Sequence, residues 1–164
     1  MSMIAVYQQT TDEIIKDLKN SGDAADYVWE AQESDDTDVC DIDKMWDALH
    51  FLLTSKTLQE PIEDNLLSEA VVGQSILSED EFISGIYSDR VQEIAQALGE
   101  IDFEKYIEKF NMEDFYKNDI YPAIWDREEE KELIIEDLRY SFKTIKEFYT
   151  RMAEKKCAVI VSIC

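Results

Sequence analysis

Along most of this chain, apolar residues return every three or four positions, the spacing of one buried helix face. Short continuous apolar runs of the kind found in buried strands stand near both ends. Met3 to Tyr7 is apolar and β-branched enough for a strand, and Thr11 or Asp12 can then cap a helix carrying Ile14, Ile15 and Leu18 on one face. Residues 20–41, rich in Asp, Glu and Ser, predict a loop around a short helix near Tyr27 to Ala31, with the acidic run Ser34 to Asp38 exposed and mobile. The clearest amphipathic helix is Ile42 to Leu53, in which Ile42, Met45, Trp46, Leu49, Leu52 and Leu53 recur at helical spacing behind Asp41 as N-cap.

Residues 54–68 read as a loop around Pro61, followed by two short strands, Ala70 to Ile76 and Phe82 to Tyr87, although turns of buried helix share that pattern. Ser88 is placed to cap a helix with Val91, Ile94, Ala95 and Leu98 inward and Gly99 at its stop. Asp102 opens another helix with Phe103, Tyr106, Ile107 and Phe110 on one face, and Asn111 starts a further turn holding Met112 and Phe115. Because a proline disfavours helical backbone at the residue before it, IYPAIW at Ile120 to Trp125 is expected to be an extended connector. Asp126 ends it, with Glu129 three residues later as a capping-box-like pair. The long helix that follows buries Ile134, Leu138, Ile145, Phe148 and Met152 with Ile135, Phe142 and Tyr149 beside them, and runs to about Lys155, roughly 40 Å. A buried strand, Ala158 to Ile163, closes the chain.

Strands at both ends with helices between predict an α+β fold: a small central mixed sheet flanked by helices, helix-rich, forming one domain over residues 1–164. With 4 Gly and 2 Pro there is little material for the tight hairpins of an all-β fold. A hydrophobic content of 45% excludes a disordered chain even though 33% of the residues are charged.

Charge changes the picture of partners. Asp plus Glu number 38 against 16 Lys plus Arg, a formal net charge of -22, so direct binding to nucleic acid or to an anionic membrane is disfavoured and a basic protein partner is permitted. Cys40, Cys157 and Cys164 form no disulfide framework and fit reduced thiols in a cytoplasm; neither a secretion signal nor a membrane span is indicated.

The sequence carries no GxGxxG, GxxxxGK, GxSxG or HExxH, so the common enzyme signatures fail and no cofactor is implied. One constellation remains: Asp43, Asp47 and His50 stand at i, i+4 and i+7, on one strip beside Trp46. A carboxylate pair with an imidazole could form an acid/base unit or hold a small ligand, whereas the simpler reading is a partly buried His50 hydrogen-bonded to a neighbouring carboxylate or carbonyl. No metal site is expected, because a single His excludes multi-histidine ligation and Asp35 to Asp43 lacks the glycine and closing glutamate of a calcium loop. Phe51 projects away from the apolar stripe, which makes its helix either buried on two sides or a presenter of an aromatic ring to a partner.

The residues DIDKMWDALHFLLT at Asp41 to Thr54 carry a resemblance. With the MSMI start, AVVG at Ala70 to Gly73, VQEIAQALGEI at Val91 to Ile101 and IYPAIW, they make the chain similar over nearly its whole length to the YfbM-like family of bacterial proteins, a family classed as a domain of unknown function. The resemblance implies one compact α/β-type domain in bacterial cytoplasm and supplies no mechanism. Its pattern falls on Asp41, Asp43, Trp46, Leu49, His50 and Phe51, and on Tyr121, Pro122 and Trp125. The chain departs from it at Ser55, where a glycine is common, and at Ser84 to Tyr87, where a loop with Gly and Pro is common.

Two functions from different classes follow as expectations. The first is an acidic protein-binding module that neutralises a basic partner in the manner of an immunity protein, with Asp41, Trp46, Phe51, Tyr121 and Trp125 as its candidate surface. The alternative is an enzyme or small-ligand binder with a cleft at Asp43, Asp47, His50 and Trp46. A nucleic-acid mimic would need carboxylates spaced like phosphates along one face.

Overall fold

A computed structural model describes residues 2–60 and 62–164. The α+β class is as expected: helices cover both faces of a five-stranded sheet. Its strands are β1 (Ala5–Thr10), β2 (Val39–Asp41), β3 (Ser75–Ser78), β4 (Ile83–Ile86) and β5 (Ala158–Ile163), in the order β2-β1-β5-β4-β3. Every ladder is antiparallel, so the mixed sheet expected from the sequence is corrected. The long C-terminal helix returns the chain antiparallel to β1 and drops β5 into the middle of the sheet, which is why AVIVSI is apolar but for Ser162 and buried at all six positions.

The pleat sends alternate side chains to opposite faces. Ala5 and Tyr7 of β1 and Val159, Val161 and Ile163 of β5 join the larger apolar cluster, which is completed by α3 (Trp46–Thr54), α4 (Leu66–Val72), α5 (Ser88–Glu100) and α8 (Lys131–Glu154). Ala158, Ile160 and Ile83 point the other way, onto Ile15 and Leu18 of α1 (Asp12–Ser21) and Ala24 and Val28 of α2 (Ala24–Gln32). The eight apolar positions expected to line α8 are all buried.

Caps explain where several helices begin. The Thr11 hydroxyl accepts from the Ile14 backbone N–H to start α1, and Gly22 ends it in the left-handed conformation. Asn111 accepts from two N–H groups at the start of α7 (Met112–Lys117), which follows α6 (Phe103–Glu108).

Several local expectations are corrected. The segment from Ala70 belongs first to α4, because Asn65 accepts from the N–H groups of Leu67 and Ser68 and starts a helix; only Ser75–Ser78 is strand. Asp41 ends β2, a strand the acidic composition had concealed, and the following helix opens with a 3-10 turn, Asp43–Met45. Tyr87, not Ser88, is the N-cap of α5, and Gly99 lies inside that helix. The IYPAIW segment is bent through turns with a cis Tyr121–Pro122 bond, and a 3-10 turn at Glu128–Glu130 leads into α8 without a side-chain cap. Pro61, the expected centre of the loop at 54–68, lies outside the described residues.

Candidate functional site

Helix α3 is buried on two sides. Leu49 and Ala48 are sealed in the larger cluster, while Phe51 packs edge-on against Phe115 with ring centroids 4.8 Å apart. Phe115 in turn meets Trp125 at 4.7 Å, and the Trp125 indole N–H donates to the Ile120 carbonyl at 2.6 Å. Phe51 and Trp125 therefore belong to one aromatic layer under α7. Trp46 and Tyr121 form a second unit, stacked at 5.7 Å. The Trp46 indole N–H donates to the Met3 carbonyl at 3.0 Å and the Met3 N–H donates to the Tyr121 hydroxyl at 2.9 Å, so the pair clasps the start of the chain.

The strip of Asp43, Asp47 and His50 divides among three neighbourhoods. Asp43 is exposed, with φ 52, and its N–H donates to the carboxylate of exposed Asp41 at 3.1 Å. Asp47 accepts from the Tyr121 N–H at 2.8 Å; burial raises its pKa and that N–H opposes the rise. His50 has no exposed surface, and its Nε2 lies 2.7 Å from the Ser68 hydroxyl. Its Nδ1 has no hydrogen-bond partner among the described residues. Burial lowers the His50 pKa to about 4, against the pull of the Lys56 backbone, so the ring is neutral at pH 7. Among the described residues no group of three His, Cys, Asp or Glu side chains is arranged to hold a metal ion, and no helix is long and apolar enough to cross a membrane.

The residue facing His50 leads to a concavity. Ser68 lies on the wall shared by two lobes of one cleft, together with Ile62, Val72, Gly73 and Gln74. The larger lobe, about 740 Å³, runs from Met3 and Trp46 past Ile163 to the β3–β4 hairpin, and the smaller, about 480 Å³, ends at Arg90. Arg90 is a junction: its guanidinium holds Glu69 through two bonds of 2.7 Å each and reaches Asp64 and Glu93, also at 2.7 Å. The helix bearing Ser68 is fixed from below by two buried tyrosines. Tyr7 donates to the Val71 carbonyl at 2.8 Å and Tyr149 to the Ala70 carbonyl at 2.7 Å, which satisfies last-turn carbonyls that lack helical partners.

Leu58, Ile76 and Phe82, exposed at 43%, 62% and 59%, all line the larger lobe, with Glu60 and Glu79 beside them. Of the residues singled out from sequence, the cleft takes in Trp46. Ser68, Glu69, Arg90 and the Leu58, Ile76, Phe82 group escaped sequence reasoning. A signal existed in Asn65 followed by LLSEAVV, an N-cap before a one-face apolar pattern.

Comparison with known proteins agrees with this architecture. The curated relative Protein YfbM of Escherichia coli (strain K12) is 27% identical over 114 residues, which is 68% of this chain and 68% of that protein. The crystal structure described as a protein of unknown function YfbM from Escherichia coli matches with a TM-score of 0.82 at 24% identity, covering 98% of this chain and 99% of that one, a likeness of fold. The family described as a domain of unknown function, DUF1877, matches residues 1–162, and the chain belongs to it.

Proposed function

We propose that this protein is a cytosolic protein-binding module whose larger lobe receives a basic segment of a partner with apolar side chains, in the manner of an immunity protein. The observation that carries the reading is the gathering of Leu58, Ile76 and Phe82 in one cleft. Large exposed apolar side chains are normal singly, but a group of them rimmed by polar residues marks an interaction site.

Charge selects the partner. Glu60 and Glu79 line this lobe, no cation does among its described lining residues, and the whole chain carries -22, so a cationic segment is drawn in and an anionic one repelled. The ladder between β3 and β4 is irregular between Ile76 and Ser78, which disrupts the sheet edge beside the lobe; recognition therefore rests on side chains more than on an added strand. Three free cysteines are compatible with a reducing compartment.

Calorimetric titration with two peptides of equal charge tests this, one of Lys and Leu and the other of Lys and Ser. The Lys/Leu peptide is expected to bind more tightly, with affinity falling as salt rises, and Phe82→Asp is expected to erase the difference. Equal affinity for both peptides, or indifference to Phe82→Asp, would sink the reading.

A further inference from the structure

We propose that Ser68 and His50 form a nucleophilic dyad that attacks small carboxylic esters entering the cleft, an activity separate from partner binding. Two observations point to it. Ser68 lies where both lobes meet, and its hydroxyl is 2.7 Å from the Nε2 of a histidine that is itself wholly enclosed. That ring has no other hydrogen-bond partner among the described residues, so the serine is the one group it addresses.

The chemistry follows from what surrounds the pair. Burial keeps the imidazole neutral at pH 7, so one ring nitrogen carries a proton and the other a lone pair. In the tautomer protonated at Nδ1 the Nε2 lone pair faces the serine hydroxyl, the arrangement by which an imidazole activates a serine. Glu69, the next residue, is bound on both carboxylate oxygens by Arg90 and does not compete as a base.

In the reaction, Ser68 Oγ bonds to the ester carbonyl carbon as its proton passes to His50 Nε2. Collapse breaks the bond from the acyl carbon to the alcohol oxygen, which leaves with the proton from Nε2. Water, deprotonated by the same nitrogen, then hydrolyses the acyl-serine to the carboxylic acid and restores the hydroxyl. A base of such low pKa gives slow turnover, so the acyl-serine itself is the better readout.

The test is incubation of the full chain with p-nitrophenyl acetate, and separately with a phosphonofluoridate, followed by peptide mapping. An adduct on Ser68 is expected, forming about 10²-fold more slowly in His50→Gln. Its rate should be flat above pH 5, since the base is already neutral there. Circular dichroism on the variant distinguishes loss of the base from loss of the fold, and the wild-type map decides the matter without any variant. Folded wild-type protein with no adduct on Ser68 from either probe overturns the proposal, as does an adduct whose rate ignores His50→Gln. The adduct is read by peptide mapping and peptide binding by calorimetry on the same wild-type protein, so failure here and failure of the peptide-binding reading are separable.

Discussion

His50 of α3 and Ser68 of α4 meet through a 2.7 Å contact between Nε2 and the hydroxyl oxygen, and the imidazole has no exposed surface. The contact ties together two helices that pack against each other on the same face of the sheet, and it leaves Nδ1 without a partner among the described residues.

An enclosed histidine with a lowered pKa couples stability to acidity. The unfolded chain takes up a proton near pH 6.5, whereas the folded ring resists until about pH 4. The unfolded state therefore binds more protons across that window, and the contribution present at neutral pH is lost as pH falls from about 6.5 to about 4, amounting to about 3 kcal/mol at most. Because the chain has 1 His, its imidazole resonances report alone. They should not move between pH 7 and pH 5, and urea midpoints of wild type should fall faster than those of His50→Gln over the same range. A midpoint near pH 6.5 for the folded protein would contradict the enclosure.

Arg90→Ala should cost about 2–4 kcal/mol, because Glu69 would be left with 12% of its side chain exposed and no countercharge. Asp64, 89% exposed, is held by the same guanidinium, yet Asp64→Asn should change stability by less than about 0.5 kcal/mol. Urea denaturation of the two variants measures the contrast. Similar losses would mean that burial does not separate the two pairs.

Gly73 adopts φ 95 and ψ 169, a region open essentially to glycine alone, and a Cβ there would lie 2.3 Å from the Ser84 Cβ. Gly73→Ala should cost about 3 kcal/mol or more, from backbone strain and from displacement of β4 together. Gly22 also has positive φ, 76, but nothing lies within 4 Å, so Gly22→Ala should cost only about 1 kcal/mol. Thermal unfolding of both variants separates strain from collision.

Ser55 ends α3 with φ 59 and ψ 22, the left-handed conformation in which a side chain is strained. Ser55→Gly should stabilise the protein by about 0.5–1 kcal/mol, about 1–4 °C in Tm. The resemblance to the YfbM-like family implies a glycine here, and the departure is expected to carry a measurable cost. A lower Tm in the variant would show that the serine contributes more than its backbone strain removes.

Periodicity is enough to specify the elements that have no alternative. Eight apolar residues at helical spacing define α8, six consecutive residues of low polarity define β5, and the stripe led by Trp46 and Leu49 defines the buried helix α3. Over such lengths only one conformation buries every apolar position at once. Where the run was short the two periods could not be told apart, as in Ala70 to Ile76, and the outcome fell to the Asn65 cap and to two tyrosine hydroxyls from β1 and α8.

The site, by contrast, is a product of packing. His50 and Asp47 were legible as polar residues at the edge of an apolar stripe, but hydrogen bonding and burial fix their chemistry, and both are supplied by distant segments. Ser68 stands 18 residues from His50, Tyr121 stands 74 from Asp47, and Arg90 stands 21 from Glu69. Spacing along a helix places side chains on a common strip; what each side chain meets there depends on which element the fold lays across it, and that is a property of the packed chain.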